Sequence, residues 1–151
     1  MKRISIVVVL IWVLLALCGS VKADRSADCE RMVNEAIKLF STKGKDVAIK
    51  SIQAFNILTD KELYVFAFTM DNTCIAHPYR KDLVGKNLND LKDSKGKFFV
   101  REFQRTAQNS GSGWVEYSWL RRGEKEPRLK RSFIKKVPGQ DIYLGAGYYL
   151  K

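Results

Sequence analysis

Hydrophobic and polar residues recur along this chain with two different periods, and the change falls near residue 60. Over residues 28–42, apolar side chains return every three or four positions, which is the spacing of one face of an α-helix. A second stretch of this kind follows Gly44, where Asp46 can cap it, and continues to about Phe55. The first half of the chain therefore predicts one kinked helix or two.

An extended segment follows the helical pattern. Residues 63–70 are rich in β-branched and aromatic side chains, and Asp71-Asn72 is a typical turn dipeptide. The apolar run then resumes and ends at His77-Pro78, because proline removes a backbone donor and restricts the residue before it. The pattern predicts a β-hairpin.

A further helix is predicted in the middle of the chain. It can begin at Asp93 or Ser94 and end at Gly111 or Gly113. Its apolar face would consist of Phe99, Val100, Phe103 and Ala107.

The last third of the chain has the two-residue period of β-strands. The predicted strands cover residues 114–120, 129–137 and 142–150. In the first of them, Val115, Tyr117 and Trp119 fall on one side, and a charged hairpin loop follows at residues 121–127. About five strands with helices at the start and in the middle predict an α+β domain with an antiparallel sheet.

The first 23 residues have the pattern of a secretory signal peptide. Residues 1–3 carry two positive charges, residues 4–17 are almost entirely apolar, and small residues stand at Val21 and Ala23. Cleavage before Asp24 would release a mature domain of residues 24–151 into the periplasm, and an uncleaved membrane anchor is the alternative. A chain of this size fits one domain with one core.

The charge balance is strongly basic, with a formal net charge of +11. The leader removes Lys2, Arg3 and Lys22 from the 27 basic residues and none of the 16 acidic ones, so the mature domain keeps a net charge of +8. Such a balance favours an anionic partner, which can be nucleic acid, a polyanionic envelope component or an anionic small ligand. Export to the periplasm argues against nucleic acid.

Two cysteines remain after the leader is removed, Cys29 and Cys74. In an oxidising compartment they predict one disulfide, and two buried thiols are the alternative. A bond between them would close a loop of about 45 residues and contribute roughly 4 kcal/mol. The chain has one histidine and no Cys-x-x-Cys motif, so we expect no structural zinc and no other cofactor.

A series of short motifs occurs in a fixed order along the mature chain. They read LYVF at 63–66, DNTCIAHP at 71–78, LVGKNL at 83–88, LKD at 91–93, GWVEYSW at 113–119, VPG at 137–139 and LGAGYY at 144–149. Lys130 and Phe133 stand between the motifs at 113–119 and 137–139. Over residues 27–150 the chain resembles the single Cache domains of the second type.

This resemblance implies a PAS-like fold, in which a long N-terminal helix packs behind a central antiparallel sheet of about five strands and a pocket lies on the other face. It also implies a sensing domain of chemotaxis receptors or histidine kinases, with a small carboxylate as the ligand. Nothing follows Lys151 in this sequence, so we expect a stand-alone form that acts on a separate membrane-bound receptor or kinase.

The resemblance assigns ligand binding to six residues: His77, Tyr117, Lys130, Trp114, Trp119 and Phe133. Lys130 would supply the positive charge, Tyr117 a hydroxyl and His77 a ring N–H, while the other three would form aromatic walls. Phe133 replaces the usual tyrosine of the family and so lacks one hydroxyl donor.

Each assignment has a structural alternative. His77 can hydrogen-bond only its own loop, Lys130 can lie on a solvated strand face, and the aromatic residues can belong to the core. No nucleophile elbow or catalytic carboxylate pair is recognisable, so we expect no enzyme activity and no catalytic residue. The competing functional hypothesis is a basic structural or interaction protein that docks on an anionic envelope component or a membrane partner.

Overall fold

The computed structural model describes residues 24–54 and 62–150. The predicted signal peptide at residues 1–23 lies outside the described residues. Within the described stretches, no helix has the length and the hydrophobicity needed to cross a bilayer.

Two helices open the domain, α1 (Arg25–Lys43) and α2 (Lys45–Gln53). The side chain of Asp24 caps α1 by accepting the amide of Ser26 at 3.0 Å. Between the helices Gly44 adopts a φ of 82°, a left-handed conformation that glycine tolerates best. The chain therefore forms two helices at this point.

The sheet has five strands: β1 (Val65–Thr69), β2 (Cys74–Ala76), β3 (Ser112–Leu120), β4 (Pro127–Lys136) and β5 (Ile142–Tyr149). Their order is β2-β1-β5-β4-β3, and every neighbouring pair is antiparallel. The closing strand lies at the centre of the sheet, between the first hairpin and the last one. This arrangement confirms the predicted α+β, PAS-like architecture.

The third helix, α3 (Phe99–Ser110), begins later than the sequence suggested. Asp93 and Ser94 do not start it. The carboxylate of Asp93 accepts two amides of its own turn and, through its other oxygen, the amide of Ser118 at 2.9 Å. It therefore ties the loop to the outer strand β3, and α3 ends at Gly111 as predicted.

The sheet separates two hydrophobic cores. One face packs against α1 and α2, and the other packs against α3 and the loop that precedes it. Cys29 belongs to the first core and Cys74 to the second, and no disulfide joins them, so the predicted bond is not formed. Burial also raises the pKa of the Cys74 thiol to about 11, which keeps it protonated.

Two glycines in β5 let side chains lie directly over the strand. A β-carbon on Gly145 would overlap the ring of Phe66, and one on Gly147 would overlap the side chain of Ser132 and the backbone of β4. A glycine inside a strand can mark either a bulge or a close backbone approach, and close approach is the one observed here.

Candidate ligand-binding site

A small cavity lies between the sheet and α3, on the face opposite α1 and α2. Its walls are largely aromatic and include Tyr64, Phe66, His77, Phe99, Tyr117 and Trp119. The cavity volume is about 20 Å³, close to what one water molecule needs. A larger molecule can therefore enter only if some of these rings move.

His77 follows β2 directly and borders the cavity. Its Nδ1 accepts the amides of Tyr79 at 3.2 Å and Arg80 at 3.0 Å, so the proton of the neutral ring is on Nε2. Burial, together with the positive charges of Lys130 and Arg80, lowers the pKa of His77 to about 3. The hydrogen bonds between His77 and its own loop, one of the alternatives that the sequence allowed, are therefore present. They leave Nε2–H as the donor of the ring.

Tyr117 projects from β3 into the same region. Its hydroxyl lies 3.1 Å from Oγ of Ser132, and its ring stacks on Phe99 with a centroid distance of 4.7 Å. Burial raises the pKa of Tyr117, so the hydroxyl stays protonated. Tyr117 is buried with its hydroxyl already paired, as expected of a residue that shapes the wall.

Lys130 stands opposite Tyr117 on β4 and is completely buried. Its Nζ has no hydrogen-bond partner among the described residues, and it lies 3.9 Å from the ring centroid of Tyr64 and 5.3 Å from that of Tyr149. Desolvation lowers the pKa of Lys130 to about 7. Lys130 therefore does not lie on a solvated strand face. Burial of a cation without a hydrogen-bond acceptor costs free energy of folding.

Trp119 lies on the same side as Tyr117, two residues further along β3, and its ring is 6.4 Å from that of His77. Trp114 and Phe133 lie on the other face of the sheet, where they pair across β3 and β4 with a centroid distance of 5.3 Å. Their predicted role as pocket walls is corrected, because the two-residue period of a strand directs them toward the α1 and α2 core.

A larger recess opens outward from the cavity, and we call it the vestibule. Its volume is about 360 Å³, and Tyr64, His77 and Trp119 line both spaces. Its outer walls come from the loop after β2, the β3–β4 hairpin, the end of β5 and the segment before β1. They include Tyr79, Arg80, Arg121, Arg122, Glu124, Tyr149 and Glu62. None of these seven residues was assigned to the site from the sequence. Arg121, Arg122 and Glu124 were placed in a charged hairpin loop, and their closeness to Trp119 along the chain was the signal that could have found them.

The comparisons with known proteins agree with this architecture. A family model described as a Cache domain matches residues 30–151. The periplasmic sensor domain of a chemotaxis protein is 25% identical with a TM-score of 0.69, over 80% of this chain and 86% of its own.

Two further solved structures share the fold. A Cache chemosensory domain studied for carboxylic acid recognition is 22% identical with a TM-score of 0.67, over 80% of this chain and 84% of its own. A methyl-accepting chemotaxis protein from Vibrio parahaemolyticus is 23% identical with a TM-score of 0.70, over 93% of this chain and 95% of its own. With the family match over most of its length, the chain belongs to the Cache domain family of sensory ligand-binding domains.

Proposed function

We propose that this domain binds a small carboxylate outside the cytoplasm and passes the signal to a membrane-bound receptor or kinase. The observation that carries the proposal is the ammonium group of Lys130, which is completely buried and has no hydrogen-bond acceptor among the described residues. A carboxylate is the complementary group, and a charge-assisted hydrogen bond to it would contribute about 1.5–3 kcal/mol.

The neighbouring side chains suit such a ligand. Nε2–H of His77 is a neutral donor at the boundary of the cavity and the vestibule, and Trp119 supplies an apolar wall beside it. The ring of Tyr64 covers Nζ of Lys130, so binding requires this ring to move aside. That movement would give the domain an occupied state that differs from the empty one, as a sensor needs.

The same geometry argues against acid–base catalysis by the histidine. Nδ1 of His77 is held by two loop amides and Nε2 carries the proton, so the ring has no lone pair with which to accept a proton from a substrate. A relative with this fold is known for carboxylic acid recognition, which supports binding as the function. The predicted leader supports a location outside the cytoplasm.

Calorimetric titration at pH 6.5 with acetate, propionate, lactate and pyruvate tests the proposal. We expect at least one of them to bind, and Lys130→Met to weaken that binding by about 10- to 100-fold. The matched control is Lys50→Met, which removes the same charge from the exposed surface of α2 and should leave affinity unchanged. The proposal fails if none of these four and neither butyrate nor succinate binds, or if Lys130→Met binds as tightly as the wild type.

A further inference from the structure

We propose that the vestibule is a second anion-binding position, so that the preferred ligand carries two anionic groups. One group would approach Lys130 and His77 at the inner end, and the other would lie beside Arg80 and Arg122 at the outer end. This inference rests on the proposed carboxylate-sensing function and narrows its ligand class.

The available space supports a ligand that extends outward. The inner cavity has about 20 Å³, whereas the vestibule that continues from it has about 360 Å³. Tyr64, His77 and Trp119 belong to both, so a molecule held at the inner end would emerge between these three side chains into the vestibule. Most of the ligand would then lie in the vestibule.

The charges of the vestibule favour an anion. Its lining contains three arginines and two glutamates. Arg121 is engaged by both glutamates, since it pairs with Glu62 and lies 3.2 Å from Glu124. The two glutamates also pair with Arg25 and Arg128, and Asp82 pairs with Arg80. Arg122 is therefore the lining cation without a carboxylate partner among the described residues, and Lys130 adds a second positive charge behind Tyr64. Together they match the charge of a dianion.

Arg122 is the outer cation with the most freedom to bind. Its guanidinium lies 5.1 Å from the ring centroid of Tyr79, and no carboxylate of the described residues is within ion-pair distance. Stacking on an aromatic ring orients a guanidinium and leaves its edge available for hydrogen bonds.

Arg80 is held in place more firmly. Its Nε and Nη2 each donate to Asp82 at 2.8 Å, and its guanidinium carbon lies 5.7 Å from the ring centroid of Trp119. Because a guanidinium has five N–H groups and Asp82 uses two of them, the others can still donate to an anion. Arg80 and Arg122 would thus form the outer anion-binding position together.

A comparison of butyrate with succinate tests the inference, because the two probes have the same number of carbon atoms and differ by one carboxylate. Affinities would be measured by calorimetry at a constant ionic strength of about 0.15 M, where distant charges are screened. The proteins are the wild type, Arg122→Gln and the control Arg105→Gln, which removes an exposed arginine from α3.

We expect the wild type to bind succinate about tenfold more tightly than butyrate. Arg122→Gln should reduce that preference, because Arg80 alone would then hold the outer group, while leaving butyrate affinity unchanged, and Arg105→Gln should keep the preference in full. Equal binding of the two probes by the wild type, or an unchanged preference in Arg122→Gln, would overturn the second position and leave the carboxylate-sensing function intact. Failure of both probes and of the four monocarboxylates to bind would reject the sensing function itself.

Discussion

Replacement of Lys130 by methionine removes a buried ammonium group and keeps an unbranched side chain of similar length at the same place in β4. In the wild type this group is completely buried, makes no hydrogen bond within residues 24–54 and 62–150, and has the ring of Tyr64 at 3.9 Å. We expect Lys130→Met to raise the free energy of unfolding of the empty domain and to flatten its dependence on pH.

The magnitude follows from proton linkage. Burial lowers the pKa of Lys130 from 10.5 to about 7, so the unfolded chain binds more protons than the folded one between these values. The stability of the wild type therefore rises with pH through this interval, and the penalty for burying the charge is fully present below pH 7. From pH 7 to pH 9 the gain amounts to about 2 kcal/mol. Apolar replacement of a buried ion pair stabilises by about 1–4 kcal/mol. Lys130 has no partner to offset its desolvation, so the variant should gain stability, and most at pH 7, where the lysine carries the most charge of the three pH values.

Urea unfolding at pH 7, 8 and 9 is the appropriate assay, because other buried groups titrate outside this interval. The pKa of His77 is lowered to about 3, so it reduces stability only below its unfolded value of 6.5. The pKa of the Cys74 thiol is raised from 9.0 to about 11, so it reduces stability mainly above pH 9 and only slightly within the interval. Tyr64 remains protonated throughout, since burial raises its pKa well above 10.0.

The control Lys50→Met should retain the pH slope of the wild type, because this lysine is exposed on α2. If Lys130→Met shows the same change of unfolding free energy with pH as the wild type, or is less stable than the wild type at pH 7, the buried ammonium group does not destabilise the empty domain.

Three further outcomes are expected. Gly147→Ala should lower the free energy of unfolding by about 1–3 kcal/mol in urea titrations, because its methyl group would overlap Ser132; a stability equal to wild type would contradict the close approach. Asn72→Ala should cost about 3 kcal/mol in the same assay, since Asn72 links three buried or half-buried side chains by hydrogen bonds of 3.0–3.3 Å; Asn109→Ala on the exposed end of α3 is the control. A reductant should leave the melting temperature unchanged, because the two buried cysteines are not bonded to each other; a large decrease would show that a disulfide forms.

The regular elements could be predicted because their periodicity is local. The sequence placed the strands within a few residues and put Val115, Tyr117 and Trp119 on one side, as observed. It misplaced the start of α3. Asp93 is a residue type that often caps helices, but here its carboxylate accepts the amide of Lys97 in its own turn and the amide of Ser118 in β3. That choice depends on a tertiary contact that no local pattern reveals.

The candidate site was predictable only in part. Tyr117 and Lys130 share a face because they are opposite each other in the β3–β4 ladder. The same alternation puts Trp114, three residues before Tyr117, on the opposite face, and this could have corrected the assignment taken from the family resemblance. Cys29 and Cys74 are unbonded because the sheet keeps them in separate cores. The vestibule forms where segments that are distant in sequence meet. Both features depend on the whole fold, so no local pattern could predict them.

Proton uptake on binding shows whether the ammonium group of Lys130 receives the carboxylate. Calorimetry in buffers of different ionisation enthalpy measures this uptake for whichever tested carboxylate binds. With the pKa of Lys130 at about 7 in the empty domain, binding at pH 8 should take up about 0.9 proton, and binding at pH 6 should take up roughly 0.1 or less. Binding without proton uptake at pH 8 would show that Lys130 does not receive the carboxylate.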